Sequence, residues 1–401
     1  MQDVTPRRPT TTPWAAPQFS AVERAFQEMH ASGEEIGSAV CVYLHGEPVV
    51  DLWGGCMEPE RRRPWQHDTM VSTFSACKAM VALCLLHLID NGRAGLEDPV
   101  VAHWPEFAQQ DRHAKSQVTL RHLLEHTAGL PTARTNRPGD VYNWDRMIAA
   151  LQRAPLIWPA GSRTAYHAVT FGHLVGEVVR RISGQMPSAY FDRHFAGPLG
   201  LDYTMRFLPE NGPRTARCDG YDWKVRLRCG VMSYLLPPLG GWKMQYFRPC
   251  GSRYHPDTAP WRSAEAPAIT GFGTARDLAR VYAMLGNGGM LDGARVLSPE
   301  MAAQIAGLSG RPAIVDELGT GTRARIGLGL FFNLGPIADL GPNPNSFGHC
   351  GMGGTTSFCD PDAGIGFGYV CNHLYQPTRA DTSIIGDRAL RLIDAAYASL
   401  R

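Results

Sequence analysis

The sequence predicts an α/β fold of the α+β kind, in which both chain ends contribute strands to one sheet and a mainly helical, loop-rich region lies between them. Three observations carry that expectation. A hairpin pattern, "SAVCVYLHGEPVVDLWGG" (38–55), lies near the N-terminus. A strand, turn and strand pattern, "TTSFCD", "PDAG" and "IGFGYVCN" (355–372), lies near the C-terminus. Between them, apolar residues recur at helical spacing or crowd together without a two-residue period.

Taken in order, residues 1–18 form a Pro- and Thr-rich arm. "SAVERAFQEMHASG" (20–33) follows as a helix, with Ser20 as its candidate cap and Val22, Ala25, Phe26 and Met29 on one face. The first hairpin is rich in Val, Tyr and Leu and turns at His45-Gly46. "ACKAMVALCLLHLIDNG" (76–92) is apolar nearly all round until Asn91-Gly92 stops it, the mark of a helix buried on all sides. "GFGTARDLARVYAMLGNGG" (271–289) reads as another helix, opened by a capping box of Thr274 and Asp277 and closed by glycines. Residues 205–265 are dense in Gly, Pro, Arg and aromatics (Tyr221, Trp223, Tyr234, Trp242, Tyr246, Phe247, Trp261), which suits an irregular wall over a pocket. "DRALRLIDAAYASL" (387–400) closes the chain as a helix. The expected division is a sheet-bearing part at about 19–95 plus 325–401 and a helical, loop-rich part at about 96–324.

At 401 residues with 44% apolar content the chain can bury a large core. A formal charge of +2, with basic clusters scattered, implies neither nucleic acid nor an anionic membrane as a partner. The expected partner is a small molecule, and no cofactor is expected. The twin arginine of the arm is followed by Thr and Pro where a secretion signal would have an apolar run. No apolar run reaches the length of about 20 residues that a membrane span needs. Ten cysteines occur without a C-x-x-C pair, several in apolar runs (Cys41, Cys84, Cys371). They read as buried free thiols of a reducing compartment, so a cytoplasmic enzyme is expected.

Chemistry enters at "FSACKAM" (74–80). Only four of the 39 basic residues are lysine, and Lys78 alone has a serine three positions before it, Ser75. A bland reading exists, a lysine snorkelling from an ordinary helix. Three later segments weigh against it: "VTLRHLLEHTAGLP" (118–131), "PAGSRTAYHAVTFGHLVGEVVRRISG" (159–184) and "FGHCGMGGTTSF" (347–358). With these four segments in this order, the chain resembles the serine β-lactamase and penicillin-binding-protein superfamily. The likeness runs from about residue 20 to the C-terminus, in particular to the class C branch and the family VIII type of carboxylesterase that shares its fold. That resemblance implies an antiparallel sheet flanked by N- and C-terminal helices, plus a mainly helical subdomain, with the site in the cleft between them. It also implies Ser75 as nucleophile, Lys78 as its partner, Tyr166 as the tyrosine of the second motif, and His349-Cys350-Gly351 in place of the usual Lys-Thr-Gly strand.

The chemistry can be argued from the residues as well. A serine hydroxyl needs a base to take its proton, and a lysine one helical turn away is near enough. That lysine must be neutral, which burial and a nearby helix N-terminus both favour. A tyrosine hydroxyl can relay the proton, and the amides of Ser75 and Met352 can hold an oxyanion. Ser75 is expected in the first turn of its helix, where the unpaired amides and the dipole help.

Two departures bear on substrate. Where β-lactam- and peptide-cleaving relatives usually carry Asn, the second motif here ends in Ala168. Where they carry Lys, the third opens with His349, mostly neutral near pH 7. Both favour small neutral esters. The expected activity is therefore a carboxylesterase acting on a small-molecule ester or acyl donor, with Ser75, Lys78 and Tyr166 catalytic and Met352, His349, Gly351 and Ala168 around the oxyanion and substrate. Acyl transfer to an alcohol or amine, amide hydrolysis and β-lactam hydrolysis are the alternatives within this fold. From other classes come a ligand-binding protein without turnover and a zinc peptidase, since "HLLEH" (122–126) matches H-x-x-E-H with His122 and His126 one helical turn apart. G-x-S-x-G, the mark of an α/β-hydrolase, is absent. Cys77 faces away from Ser75 by helical geometry and reads as core; Cys350 stays undecided.

Overall fold

The computed structural model describes residues 11–220, 241–317, 323–335, 338–374 and 384–401. Tyr221, Trp223 and Tyr234 of the expected wall lie outside the described residues.

Hairpins at the two chain ends meet edge to edge. The N-terminal hairpin, Gly37–Leu44 and Glu47–Gly55, turns at His45 and Gly46, both at positive φ. Its first strand pairs antiparallel with the C-terminal strand Ile365–Cys371, from Ser38 opposite Cys371 to Leu44 opposite Ile365. The whole is an eight-stranded antiparallel sheet in the order Trp14–Ala15, Glu47–Gly55, Gly37–Leu44, Ile365–Cys371, Thr356–Asp360, Phe347–Cys350, Leu330–Phe332, Ile326–Gly327. Two residues of the arm are thus part of the fold: Trp14 and Ala15 form an edge strand against Asp51 and Val50.

The strand "IGFGYVC" shows how the sequence sets the layers. Phe367 and Tyr369 point to one face and pack with Phe26, Met29, Leu390 and Ile393 of the two terminal helices, Ser20–Ala31 and Asp387–Ala398. Gly366 and Gly368 point to the other, where the helix Ala275–Gly286 lies so close that a Cβ on Gly368 would stand 2.2 Å from the Ala275 carbonyl. Alternating large and absent side chains therefore seat a helix on each face. The Thr274–Asp277 capping box forms as the sequence predicts. Ser20 does not cap its helix: a 3₁₀ turn, Pro17–Phe19, runs straight into it, and Phe19 occupies the capping position without a side-chain bond.

The helix Cys77–Asp90 runs through the second core, buried at eleven positions from Cys77 to Leu88, and packs against the helix Thr170–Ser183. It stops at Asn91, with Gly92 at φ +67°. The described part of 205–265 is irregular: 3₁₀ turns at Pro209–Arg214, Trp242–Gln245 and Arg248–Arg253, and one short helix, Ala259–Ser263. Among the described residues no helix is long and apolar enough to cross a membrane.

Candidate active site

Ser75 stands at a sharp junction. The strand Val71–Phe74, paired with Gly271–Gly273, runs almost directly into the helix Cys77–Asp90. To turn that corner Phe74 adopts φ +48°. The left-handed region costs a bulky L-residue about 1–3 kcal/mol, so packing must hold it there. Its buried ring meets Trp261 edge-on at 5.5 Å between centroids. Ala76 takes the capping position and the Lys78 amide donates to the Ser75 carbonyl at 3.0 Å. Ser75 thus opens the turn that leads into the helix, one residue ahead of the cap.

Lys78 Nζ lies 3.0 Å from Ser75 Oγ and donates to the Ala268 carbonyl at 2.8 Å. The side chain is fully buried. Burial lowers its pKa from 10.5 to about 7, and the partners described for it are two neutral oxygens. A neutral amine here gives one hydrogen to Ala268 and turns its lone pair to the serine hydroxyl, the arrangement a general base requires.

Tyr166 completes the cluster. Its hydroxyl is within electrostatic reach of Ser75, its ring lies 4.9 Å from Lys78 Nζ, and burial holds its pKa well above the ordinary value. It is a protonated phenol, able to donate and accept but not a standing base. His349 sits behind it, Nε2 3.5 Å from the Tyr166 hydroxyl and Nδ1 2.7 Å from the Cys350 carbonyl. A carbonyl only accepts, so Nδ1 carries the hydrogen and Nε2 presents a lone pair to the phenol. Burial, with Lys78 nearby, lowers the His349 pKa to about 3, so the ring is neutral.

A cavity of about 280 Å³ opens over this cluster. Ser75, Tyr166 and Cys350 to Met352 form one side; Ala324, Phe331, Ala338 and Ile384 give an apolar wall, with Asp316 and Arg325 also facing it. Gly351 is required by close approach: a Cβ there would stand 2.2 Å from the Thr73 carbonyl, on the strand that delivers Ser75. His349 and Ala168, expected at the substrate, do not line this cavity. His349 backs Tyr166 instead, and the Ala168 amide donates to the Tyr246 hydroxyl at 2.7 Å. Cys350 does line it, but burial raises its thiol to about 12, leaving no thiolate for nucleophilic work. Cys77 is buried in the core, as the helical geometry predicts.

Sequence reasoning missed Ala268, Tyr246, and Asp316, whose Oδ1 accepts from the Tyr166 amide at 2.9 Å. The only signal was the density of aromatics around Tyr246.

The "HLLEH" histidines have other roles. The helix Leu120–Leu124 ends before His126, which turns to φ +60°, so the two rings do not share a helix face. His122 completes a capping box with Thr119. His126 Nδ1 accepts from the His167 amide at 2.9 Å, and its ring stacks on Phe171. His126→Ala leaves that buried amide unpaired, a loss of about 1–3 kcal/mol. The expected result is a lower melting temperature, with a larger loss of stability than of turnover per active serine, and activity unchanged by EDTA. Stoichiometric zinc, removed by EDTA together with activity, would return "HLLEH" to the chemistry.

A β-lactamase family model matches residues 22–390. The chain is 33% identical over 376 residues to the esterase/β-lactamase LipL of Mycobacterium tuberculosis (strain ATCC 25618 / H37Rv), covering 90% of this chain and 83% of the relative. Among solved structures it resembles a family VIII carboxylesterase, with TM-score 0.83, 34% identity and coverage of 97% of this chain and 100% of the other. A penicillin-binding-protein homologue from Caulobacter crescentus follows with TM-score 0.81, 32% identity and the same coverage.

Proposed function

Because this chain belongs to the β-lactamase family, we propose that it is a serine hydrolase that acts through a Ser75 acyl-enzyme on small neutral esters. The observation that carries the reading is Lys78 Nζ, 3.0 Å from Ser75 Oγ and buried so that its pKa falls to about 7. Neutral Lys78 takes the serine proton as Oγ attacks the ester carbonyl. The amides of Ser75 and Met352 receive the oxyanion. As the tetrahedral intermediate collapses, the proton passes through the Tyr166 hydroxyl to the departing alcohol, and Ser75 is left acylated. Water then enters, gives its proton back along the same relay, and releases the acid. The His349 lone pair orients the Tyr166 hydroxyl. The cavity's apolar wall of Phe331, Ala338 and Ile384 suits a short apolar group better than a charged one.

Esters are favoured over β-lactams because two polar contacts are missing. Ala168 has no side-chain amide, and His349 is neutral and turned to Tyr166. Each missing contact is worth about 1–3 kcal/mol, so kcat/KM for a short-chain p-nitrophenyl ester should exceed that for a chromogenic cephalosporin by at least about 30-fold. The measurement is a panel of both substrate types, run with and without added alcohol or amine. Equal rates on ester and cephalosporin would favour a β-lactamase, the second reading suggested by the double description of LipL. Product diverted to the added alcohol or amine would make the enzyme an acyltransferase.

A further inference from the structure

We propose that Tyr246 is a positioning residue for the proton relay: its hydroxyl clamps the turn Tyr166-His167-Ala168 and thereby fixes the reach of the Tyr166 phenol to Ser75. The inference rests on the reading of Ser75, Lys78 and Tyr166 given above.

The Tyr246 hydroxyl accepts from the Ala168 amide at 2.7 Å and donates to the Tyr166 carbonyl. Without it, the turn is closed only by the Ala168 amide reaching the Tyr166 carbonyl two residues back, at 2.9 Å. A three-residue turn of that kind is a weak restraint by itself. Other segments hold the rest of it: Asp316 takes the Tyr166 amide at 2.9 Å, and His126 takes the His167 amide at 2.9 Å. Tyr246 alone among the described side chains binds the carbonyl of the residue that carries the phenol. The Tyr166 backbone is thus gripped at its amide from one segment and at its carbonyl from another.

Tyr246 is itself fixed. Its ring is buried and edge-on to Phe247 at 4.9 Å. The preceding residue is tied to the helical region where Thr132 Oγ1 donates to the Gln245 carbonyl at 3.0 Å, and Trp242 packs edge-on against Trp158 at 5.2 Å. The Gly139 amide reaches the Pro249 carbonyl at 2.9 Å just beyond. Tyr246 does not line the cavity, so any effect on turnover must pass through the turn. A catalytic group misplaced by about 1 Å can cost on the order of 10²-fold in rate, so one backbone clamp is enough to matter.

The test is Tyr246→Phe, which keeps the ring and removes the hydroxyl, made alone and together with Tyr166→Phe. Rates are normalised to serine titrated to completion with a fluorophosphonate, which keeps the comparison on folded molecules. In the otherwise wild-type enzyme kcat should fall about 10- to 100-fold, with KM changed by less than about 3-fold because the substrate loses no contact. In the Tyr166→Phe background the same change should cost less than about 2-fold, since nothing is left to position. An unchanged kcat, or an equal loss in both backgrounds, would overturn the clamp. If Tyr166→Phe itself keeps wild-type turnover, relay and clamp fall together. If Tyr166→Phe is damaging while Tyr246→Phe is silent, only the clamp falls.

Discussion

Replacing Ser75 by alanine is expected to abolish covalent labelling by a fluorophosphonate and to lower ester turnover by on the order of 10⁴-fold or more. The expectation follows from how the site is built. Lys78 Nζ lies 3.0 Å from Ser75 Oγ and the Tyr166 hydroxyl is within electrostatic reach of Ser75, so removing that oxygen leaves a base and a relay with no proton to move. The change is small in volume and leaves Phe74 and the helix Cys77–Asp90 in their packing, so the melting temperature should hardly move. Intact protein mass after labelling, read beside the rate, checks both. Labelling that persists in Ser75→Ala would place the nucleophile elsewhere.

Lys78 supplies the second large effect and a pH signature. Lys78→Met keeps an unbranched apolar side chain in a fully buried site and should cost about 10³-fold in turnover, within the range for loss of a general base. The sign of the pH dependence follows from the direction of the shift. Burial lowers the Lys78 pKa from 10.5 to about 7, and only the neutral amine accepts the serine proton. The kcat/KM of the free enzyme should therefore rise through about pH 7 to a plateau and be lost as the pH falls through it. Stability moves with it: between about pH 7 and 10.5 the unfolded chain holds a proton on Lys78 that the folded protein does not, so stability gains from rising pH across that window. Lys78→Met should abolish this contribution and leave the folded protein at least as stable near neutral pH. Lys78→Arg, by contrast, places a permanent cation where only neutral oxygens wait, and should destabilise. An acid limb near pH 4 or 5 in the wild-type rate profile would mean that a carboxylate, not Lys78, is the base.

Much of the fold was legible because it is written in short-range patterns. The His45-Gly46 turn, the Thr274–Asp277 capping box and the stop at Asn91-Gly92 each depend on residues within one turn of one another. The alternation of Gly366, Phe367, Gly368 and Tyr369 could be read as a strand, yet which helix the glycines admit could not. Ser20 misled for a related reason. A serine before an apolar face is a good cap, but here the 3₁₀ turn Pro17–Phe19 already delivers the chain in helical register.

For the site, the sequence by itself determined which residues could do the chemistry: a serine and lysine one helical turn apart, a tyrosine and a Gly-containing strand in a familiar order. The backbone repeats every few residues, so local spacing fixes which side chains share a face. Only the tertiary structure decided how those residues act. The lysine's pKa is lowered because distant segments bury it, among them the one carrying Ala268, 190 residues away. The phenol is aimed by Asp316, 150 residues away, and by Tyr246, 80 residues away. The histidine of the third motif faces Tyr166, 183 residues away, and not the cavity. Protonation and aim are set by the dielectric and the hydrogen bonds around a group, which are sums over whatever the fold packs there and leave no period in the chain.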